Sequence, residues 1–382
     1  MDKKRICIVT NYSSTTNFGA LLQAYALNSV ITHMGYVAED LYISSSLKFT
    51  KRKLIYQITH LQFRELKNEI LDRIQKYRVR SHLKARKNAM DEFRFSIPHS
   101  EKYTKDNLEG LQEKYNVFIC GSDQIFRPNK RTGELERHFF LEMVNNGAVK
   151  ASYAASMGIE SYDFNVENQA AEYLASFNKI SMREASATEY MKKITGRQDI
   201  ITSIDPVFLL TQEEWLKLSK PYNIGEQYIF VYMIHGTEKL FSSIKQFSSE
   251  NRLKIITFPS MSYKRKKYEI GFADIEIFDA DPLQFISLIN NAEYIFTDSF
   301  HGTAFSLILH KQAFVSKANE IAFSRIKNII SIMNAEKMII PSEGLNSESY
   351  IVKPELDWKK VDLAIKEQRV QSIKYLREVI ES

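Results

Sequence analysis

A chain of 382 residues, 44% hydrophobic and 26% charged, has globular composition and length for two α/β domains of ordinary size. No apolar run is long enough to cross a bilayer, since Ala304–Leu309 is cut short by His310 and Lys311, and two cysteines are too few for a disulfide framework or a cysteine zinc site. The net charge of +6 is concentrated between Lys48 and Arg94, where fourteen Lys and Arg residues meet five Asp and Glu, so the remainder is mildly acidic.

The N-terminal residues lead directly into the apolar Ile6–Val9, too short for a signal-peptide core, so they read as a first strand of a cytoplasmic protein. A polar loop Asn11–Asn17 follows. Leu21, Leu22, Tyr25, Ala26, Ser29 and Val30 then recur at helical spacing, predicting a helix over 19–34 that Gly35 closes. Tyr36–Tyr42 reads as a second strand. The basic insert at about 48–94 carries an amphipathic helical face through Leu54, Ile58, Leu61, Leu66, Ile70 and Ile74. Its charge fits a solvated helical excursion, or contact with an anionic membrane surface, a lipid-diphosphate-linked acceptor or nucleic acid. Nucleic acid is disfavoured because no base-stacking motif accompanies the charge.

Further strands are expected at 115–120, 149–154, 179–182 and 199–203, with a helix at 170–177. Cys7 and Cys120 fall within apolar strand-like segments and read as buried thiols. Thr211–Gly225, with Pro221 and Gly225, has linker composition. The pattern then restarts with strands at 228–233, 254–258, 275–278, 293–297 and 313–316, and helices at 238–247, 282–290, 302–310 and 322–333. A last helix spans about 359–379. Strands alternating with helices predict parallel, doubly wound sheets, one in 1–210 and one in 226–358, with the functional cleft at the strands' carboxyl ends.

His301 follows such a strand and opens a helix, where unpaired N–H groups welcome an anion and a histidine can exchange a proton near neutral pH. Gly302 allows close approach of a ligand or of backbone. His310 fits the last turn of that helix. In the first half, Gly121-Ser122-Asp123-Gln124 follows a strand; Asp123 can act as a base and Ser122 and Gln124 can bind hydroxyls, or the segment is a tight turn. Asn17 and Gly19 border the same cleft, although Gly-x-Gly-x-x-Gly is absent and a dinucleotide site is disfavoured. Arg183 suits bidentate anion binding. Lys264 and Arg265 lie in a basic loop on the rim, and Arg325 stands near a helix start. No metal-ligand spacing and no phosphate-binding or nucleophile-elbow motif is present.

Taken in order, Asn17-Phe18-Gly19-Ala20-Leu21-Leu22-Gln23, Phe118-Ile119-Cys120-Gly121-Ser122-Asp123-Gln124, Ser152-Tyr153-Ala154-Ala155-Ser156-Met157-Gly158, Arg183-Glu184, Asp205-Pro206-Val207-Phe208, Thr297-Asp298-Ser299-Phe300-His301-Gly302-Thr303 and Ser324-Arg325 resemble the polysaccharide pyruvyltransferase family. The resemblance covers most of the chain. It implies a GT-B-like fold, two Rossmann-like domains facing a cleft, and transfer of pyruvate from phosphoenolpyruvate to a sugar with formation of a cyclic ketal and release of phosphate. It implies no cofactor beyond that donor. By the same resemblance His301 matches the catalytic histidine and Arg183 the donor-binding arginine. Better-studied branches carry an arginine two positions before the histidine, where this chain has Ser299, so Lys264, Arg265 or Arg325 is expected to supply the missing cation. Asp123 is the candidate base for the acceptor hydroxyl. A nucleotide-sugar glycosyltransferase and a non-catalytic carbohydrate-binding protein share the fold and remain the rival readings.

Overall fold

The computed structural model describes residues 3–44, 80–105, 107–108, 110–129, 132–144, 147–259, 265–317, 320–345 and 355–382. The chain opens with β1 (Arg5–Val9), helix α1 (Phe18–His33), β2 (Val37–Asp40) and a two-residue β3 (Ile43–Ser44). The amphipathic face expected over Leu54–Ile74, and Lys48, Lys51, Arg52 and Lys53, lie outside the described residues. Then come α2 (Arg80–Ser96), β4 (Tyr103–Thr104), α3 (Leu111–Lys114), β5 (Val117–Cys120), β6 (Val149–Ser152), α4 (Phe164–Leu174), β7 (Ser181–Met182), α5 (Ala185–Thr195) and β8 (Ile201–Thr202). Strands β2-β1-β5-β6 form one parallel sheet in that order, and single bridges from Ala151 to Lys179 and from Ala155 to Met182 attach the β7–β8 pair beyond β6.

The segment with linker composition contains a helix, α6 (Gln212–Leu218). Thr211 and Glu214 cap it reciprocally, and Trp215 is buried with its indole N–H on the carbonyl of Val207. An apolar anchor at Trp215 thus overrides the loop signals of Pro221 and Gly225, which act only after the helix has ended.

The second half runs β9 (Tyr228–Tyr232), α7 (Glu238–Asn251), β10 (Lys254–Thr257), β11 (Ile275–Glu276), α8 (Pro282–Asn291), β12 (Tyr294–Thr297), α9 (Phe300–Ile308), β13 (Ala313–Ser316), α10 (Glu320–Ile332), β14 (Ile339–Ile340) and α11 (Trp358–Glu381). Its sheet order β11-β10-β9-β12-β13-β14 is wholly parallel and doubly wound, reversing between β9 and β12. In the first sheet the reversal falls between β1 and β5. Strands β5, β12 and β13 are buried at every position, as helices on both faces require.

One hydrophobic core runs continuously through both halves. Phe18, the first residue of α1, stacks on Phe258 and Phe285 of the second half at ring separations of 4.6 and 5.2 Å. Helix α11 ties the halves a second time. Near its start Asp362 pairs with His310 at 2.7 Å and Trp358 stacks on the same ring, while further on Tyr375 donates to the carbonyl of Ser152 and Arg369 to those of Phe208 and Leu210. His310 therefore serves α11 and not the end of its own helix. Helix α9 stops at Ile308, and His310 has already turned into the left-handed region, at a φ of 53°.

Candidate active site

The carboxyl ends of β1, β5, β9 and β12, the strands at the two reversals, converge on a cavity of about 390 Å³ between the halves. Asn17, Asp123, Gln124, Arg127 and Arg183 line it from the first half; His235, Asp298, Ser299, His301 and Arg325 line it from the second.

His301 sits in the first turn of α9, whose cap is Ser299: the Ser299 hydroxyl accepts the N–H of Gly302 at 3.3 Å. The cap places the imidazole, 7% exposed, at the seam between the halves. Its Nε2 lies 3.8 Å from Oδ2 of Asp205 and has no hydrogen-bond partner within the protein. The other face of the ring rests on helix α1, where a Cβ added to Gly19 would fall 2.0 Å from His301 Nδ1. Gly19 thus makes room for the histidine and presents no group of its own to a ligand. Gly302 likewise gives close approach to backbone and strand, since a Cβ there would strike the Thr297 hydroxyl at 2.4 Å.

Asp205 is the hub beneath the histidine. It is fully buried, and its Oδ2 accepts from the Ser122 hydroxyl at 2.8 Å and from Arg183 Nη1 at 2.9 Å, while Oδ1 accepts the N–H of Val207. Burial opposes its ionisation, yet His301, Arg183 and that N–H together hold its carboxyl well below the usual range. Ser122 is turned down onto Asp205, and its own carbonyl accepts from Thr10, so it reaches the cavity only through the aspartate. The expected hydroxyl-binding role of Ser122 has no geometry behind it.

Arg183 is equally buried. Its Nε bonds Glu184 at 2.9 Å, its guanidinium lies 4.2 Å over the ring of Phe300, and its Nη2 has no partner. Burial would lower its pKa, but Glu184 and Asp205 raise it above the ordinary arginine value, so it is a fixed cation. Arg325 approaches the same cavity from α10 with its Nε unpartnered, its pKa pushed down to about 10 by burial and then by the charge of Arg183. It remains cationic at neutral pH. Two guanidinium groups, that of Arg183 buried and that of Arg325 half-buried, thus bring unused donors to one cavity, an arrangement that can hold an anion.

Of the three cations expected to stand in for an arginine at position 299, two are among the described residues, and of these Arg325 is placed to do so. Lys264 lies outside the described residues. Arg265 points away from the cavity, with its guanidinium on both oxygens of Glu276 and on the carbonyl of Glu269, because Glu276 ends the adjoining strand β11 and neutralises it there. Arg127 is a further cation on the cavity wall; its Nη1 donates to Gln124 at 2.8 Å, which commits the Gln124 carbonyl oxygen to the protein. No periodicity or motif marks Arg127, which stands in irregular chain after β5.

Asp123 takes the left-handed conformation, at a φ of 75°, and accepts from Asn11 at 3.2 Å. That conformation is uncommon for a residue with a side chain and turns the carboxylate onto the wall shared with a second cavity, of about 570 Å³, in the first half. The second cavity is walled by Asn11, Ser13, Ser14 and Thr15, with Tyr12 and Phe139 beside them, and joins the first across Asn17, Asp123, Gln124 and Arg127. Asn17 also caps α1, accepting the N–H of Ala20.

The model of the family described as polysaccharide pyruvyl transferase matches residues 17–316, from the cap of α1 to the end of β13. The chain belongs to that family. Its fold is GT-B-type and α/β. Similar solved structures include a UDP-N-acetylglucosamine 2-epimerase from Rickettsia bellii, 15% identical with a TM-score of 0.55 over 99% of this chain and 96% of that one. A putative UDP-N-acetylglucosamine 2-epimerase from Listeria monocytogenes is 9% identical with a TM-score of 0.52 over 100% and 96%. At such identities the likeness is one of fold. No curated protein matches this polysaccharide pyruvyl transferase relative in sequence. Among the described residues no helix is long and apolar enough to cross a membrane.

Proposed function

We propose that the chain transfers the pyruvyl group of phosphoenolpyruvate to two hydroxyls of a sugar, forming a cyclic ketal and releasing phosphate. The observation that carries this reading is the meeting of His301 with Arg183 and Arg325 at one cavity, both arginines having an unused buried donor. Phosphoenolpyruvate bears a carboxylate and a phosphate, and two fixed guanidinium groups match two anionic groups. His301, whose Nε2 lies 3.8 Å from Asp205 and has no partner within the protein, acts as the acid that protonates the methylene carbon. Asp123 stands where the two cavities join and receives the proton of the attacking hydroxyl.

The sugar would occupy the cavity of the first half, whose hydroxyl and amide lining suits a polyol. It would belong to a polysaccharide or to its lipid-diphosphate-linked precursor, met at the cytoplasmic face of a membrane by the charge between Lys48 and Arg94. The test is incubation with phosphoenolpyruvate and a panel of sugars, following phosphate release and the mass of the acceptor. A pyruvylated acceptor is expected, and His301→Ala should lower its formation by about 10²-fold or more with the melting temperature preserved. Turnover of a nucleotide-sugar, with phosphoenolpyruvate inert across the panel, would overturn the reading.

A further inference from the structure

Pyruvyl transfer moves two protons in opposite senses to the hydroxyls that supply them. One reaches the methylene carbon, and one must reach the bridging oxygen of the departing phosphate, because an unprotonated phosphate trianion is a poor leaving group. His301 can serve the first. Asp123 is already engaged as the base for the attacking hydroxyl in the reading above, and an imidazole can supply the second.

A second imidazole faces the same cavity. His235 lies on the loop leaving β9, the strand paired with β12, and it lines the cavity with His301. Its Nδ1 is 3.8 Å from Oδ2 of Asp298, the same separation that His301 keeps from Asp205. Asp298 is buried, and its two oxygens accept the backbone N–H groups of Ile234 and His235 at 2.6 Å each, so the carboxylate grips the loop that carries the imidazole. Two histidine–aspartate pairs therefore open on one arginine-walled cavity. His235 itself is not needed to hold the loop, since Asp298 does so through backbone, and its ring is left exposed on the wall.

We propose that His235 is a second catalytic residue, the acid for phosphate departure, and that Asp298 positions it; this rests on the pyruvyl-transfer reading above. The steps balance. His301 gives a proton to the methylene carbon while the first hydroxyl oxygen bonds to the adjacent carbon and its proton passes to Asp123. The carbon–oxygen bond to phosphate then breaks, its electron pair staying on the oxygen, which takes the proton of His235 and leaves as hydrogen phosphate. The second hydroxyl closes on the resulting oxocarbenium carbon and returns a proton to His301. The proton on Asp123 passes through solvent to His235, and every protein group ends as it began.

The experiment compares wild type, His235→Gln, Asp298→Asn and His301→Ala as full chains in D₂O, with phosphoenolpyruvate and a sugar that the wild type pyruvylates. Phosphate release and deuterium in the methylene of unreacted phosphoenolpyruvate are both followed. In His235→Gln the release should fall by about 10²–10³-fold while deuterium still enters the donor, because the addition intermediate forms and reverts. Asp298→Asn should shift the same ratio in the same direction, and His301→Ala should lose both signals. Phosphate release by His235→Gln within about threefold of wild type would overturn the proposal, as would loss of exchange together with release. A wild-type chain that pyruvylates no acceptor would instead overturn the pyruvyl-transfer reading, and this inference with it.

Discussion

At Gly19 the absence of a side chain is what allows His301 to close on helix α1. A single added carbon would lie 2.0 Å from Nδ1 and 2.1 Å from Cγ of the ring, so the imidazole must move or the halves must part. A displacement of about 1 Å at a catalytic group costs on the order of 10²-fold in rate. Alanine is otherwise the better helix former, by about 1 kcal/mol. Gly19→Ala should therefore lower kcat/KM for the proposed pyruvyl transfer by about 10²-fold without a matching loss of melting temperature; activity within about twofold of wild type would show that the ring does not work from this position. The placement of His301 at the cavity is legible in the sequence because a buried strand, a Ser cap and a histidine follow one another. Its dependence on Asp205 is not, because that aspartate belongs to the other half of the chain and meets the ring only after both sheets have formed. Arg127 is hidden for a different reason, as irregular chain has no period to mark which side chain turns inward.

Helix α2 shows the same limit at the scale of an element. Its composition is basic, and the charge alone fits a solvated helix. Yet Arg86 and Arg94 are 6% and 3% exposed. Arg86 donates to the carbonyls of Phe278 and Ile277 in the second half and lies 4.8 Å over Phe18 and 5.0 Å over Phe258. Arg94 donates to the carbonyls of Tyr12 and Thr15, on the loop that walls the first-half cavity, and the Tyr12 hydroxyl donates back to its carbonyl. One helix thus grips the second half at one end and the loop that walls the first-half cavity at the other. Arg86→Met keeps the apolar stem but leaves two buried carbonyls without their donor, so a loss of about 3 kcal/mol is expected. It should appear as a lower urea midpoint with the denaturant slope unchanged; a midpoint equal to wild type would return Arg86 to the class of surface charges. The regular elements around α2 were readable because parallel strands such as β5 and β12 are unbroken apolar runs. The two-residue strands β7, β8 and β11 also fall within stretches expected as strands, whereas β3, β4 and β14 carry too few residues for any pattern and only their neighbours define them.

For the molecule as a whole, sealing a polar site between two halves leaves ionisable groups buried, and stability then depends on pH. The acid side has two windows. Asp205 has its carboxyl held below the usual range, so its contribution is fully present above about pH 4, the ordinary aspartate value, and is lost as the pH falls through the lower folded value. His138 acts earlier. Burial first, and Lys105 next, push its imidazole down to about 4 against the opposing pull of Glu136. Between that value and the ordinary histidine value near 6.5 the unfolded chain binds a proton that the folded chain refuses, so stability falls as the pH is lowered through this window. A separation of this size corresponds to about 3 kcal/mol, since each pKa unit carries about 1.4 kcal/mol. His138 borders the first-half cavity and does not line the one that holds His301, so unfolding and not activity is the measurement that isolates the effect. Denaturant unfolding of wild type between about pH 7.5 and 4.5 should lose most of that amount, and His138→Gln, which cannot take up the proton, should give a flatter profile across the same range. Superimposable profiles would mean that the imidazole is solvated in the folded chain and that the acid sensitivity begins only with the carboxylates beneath His301.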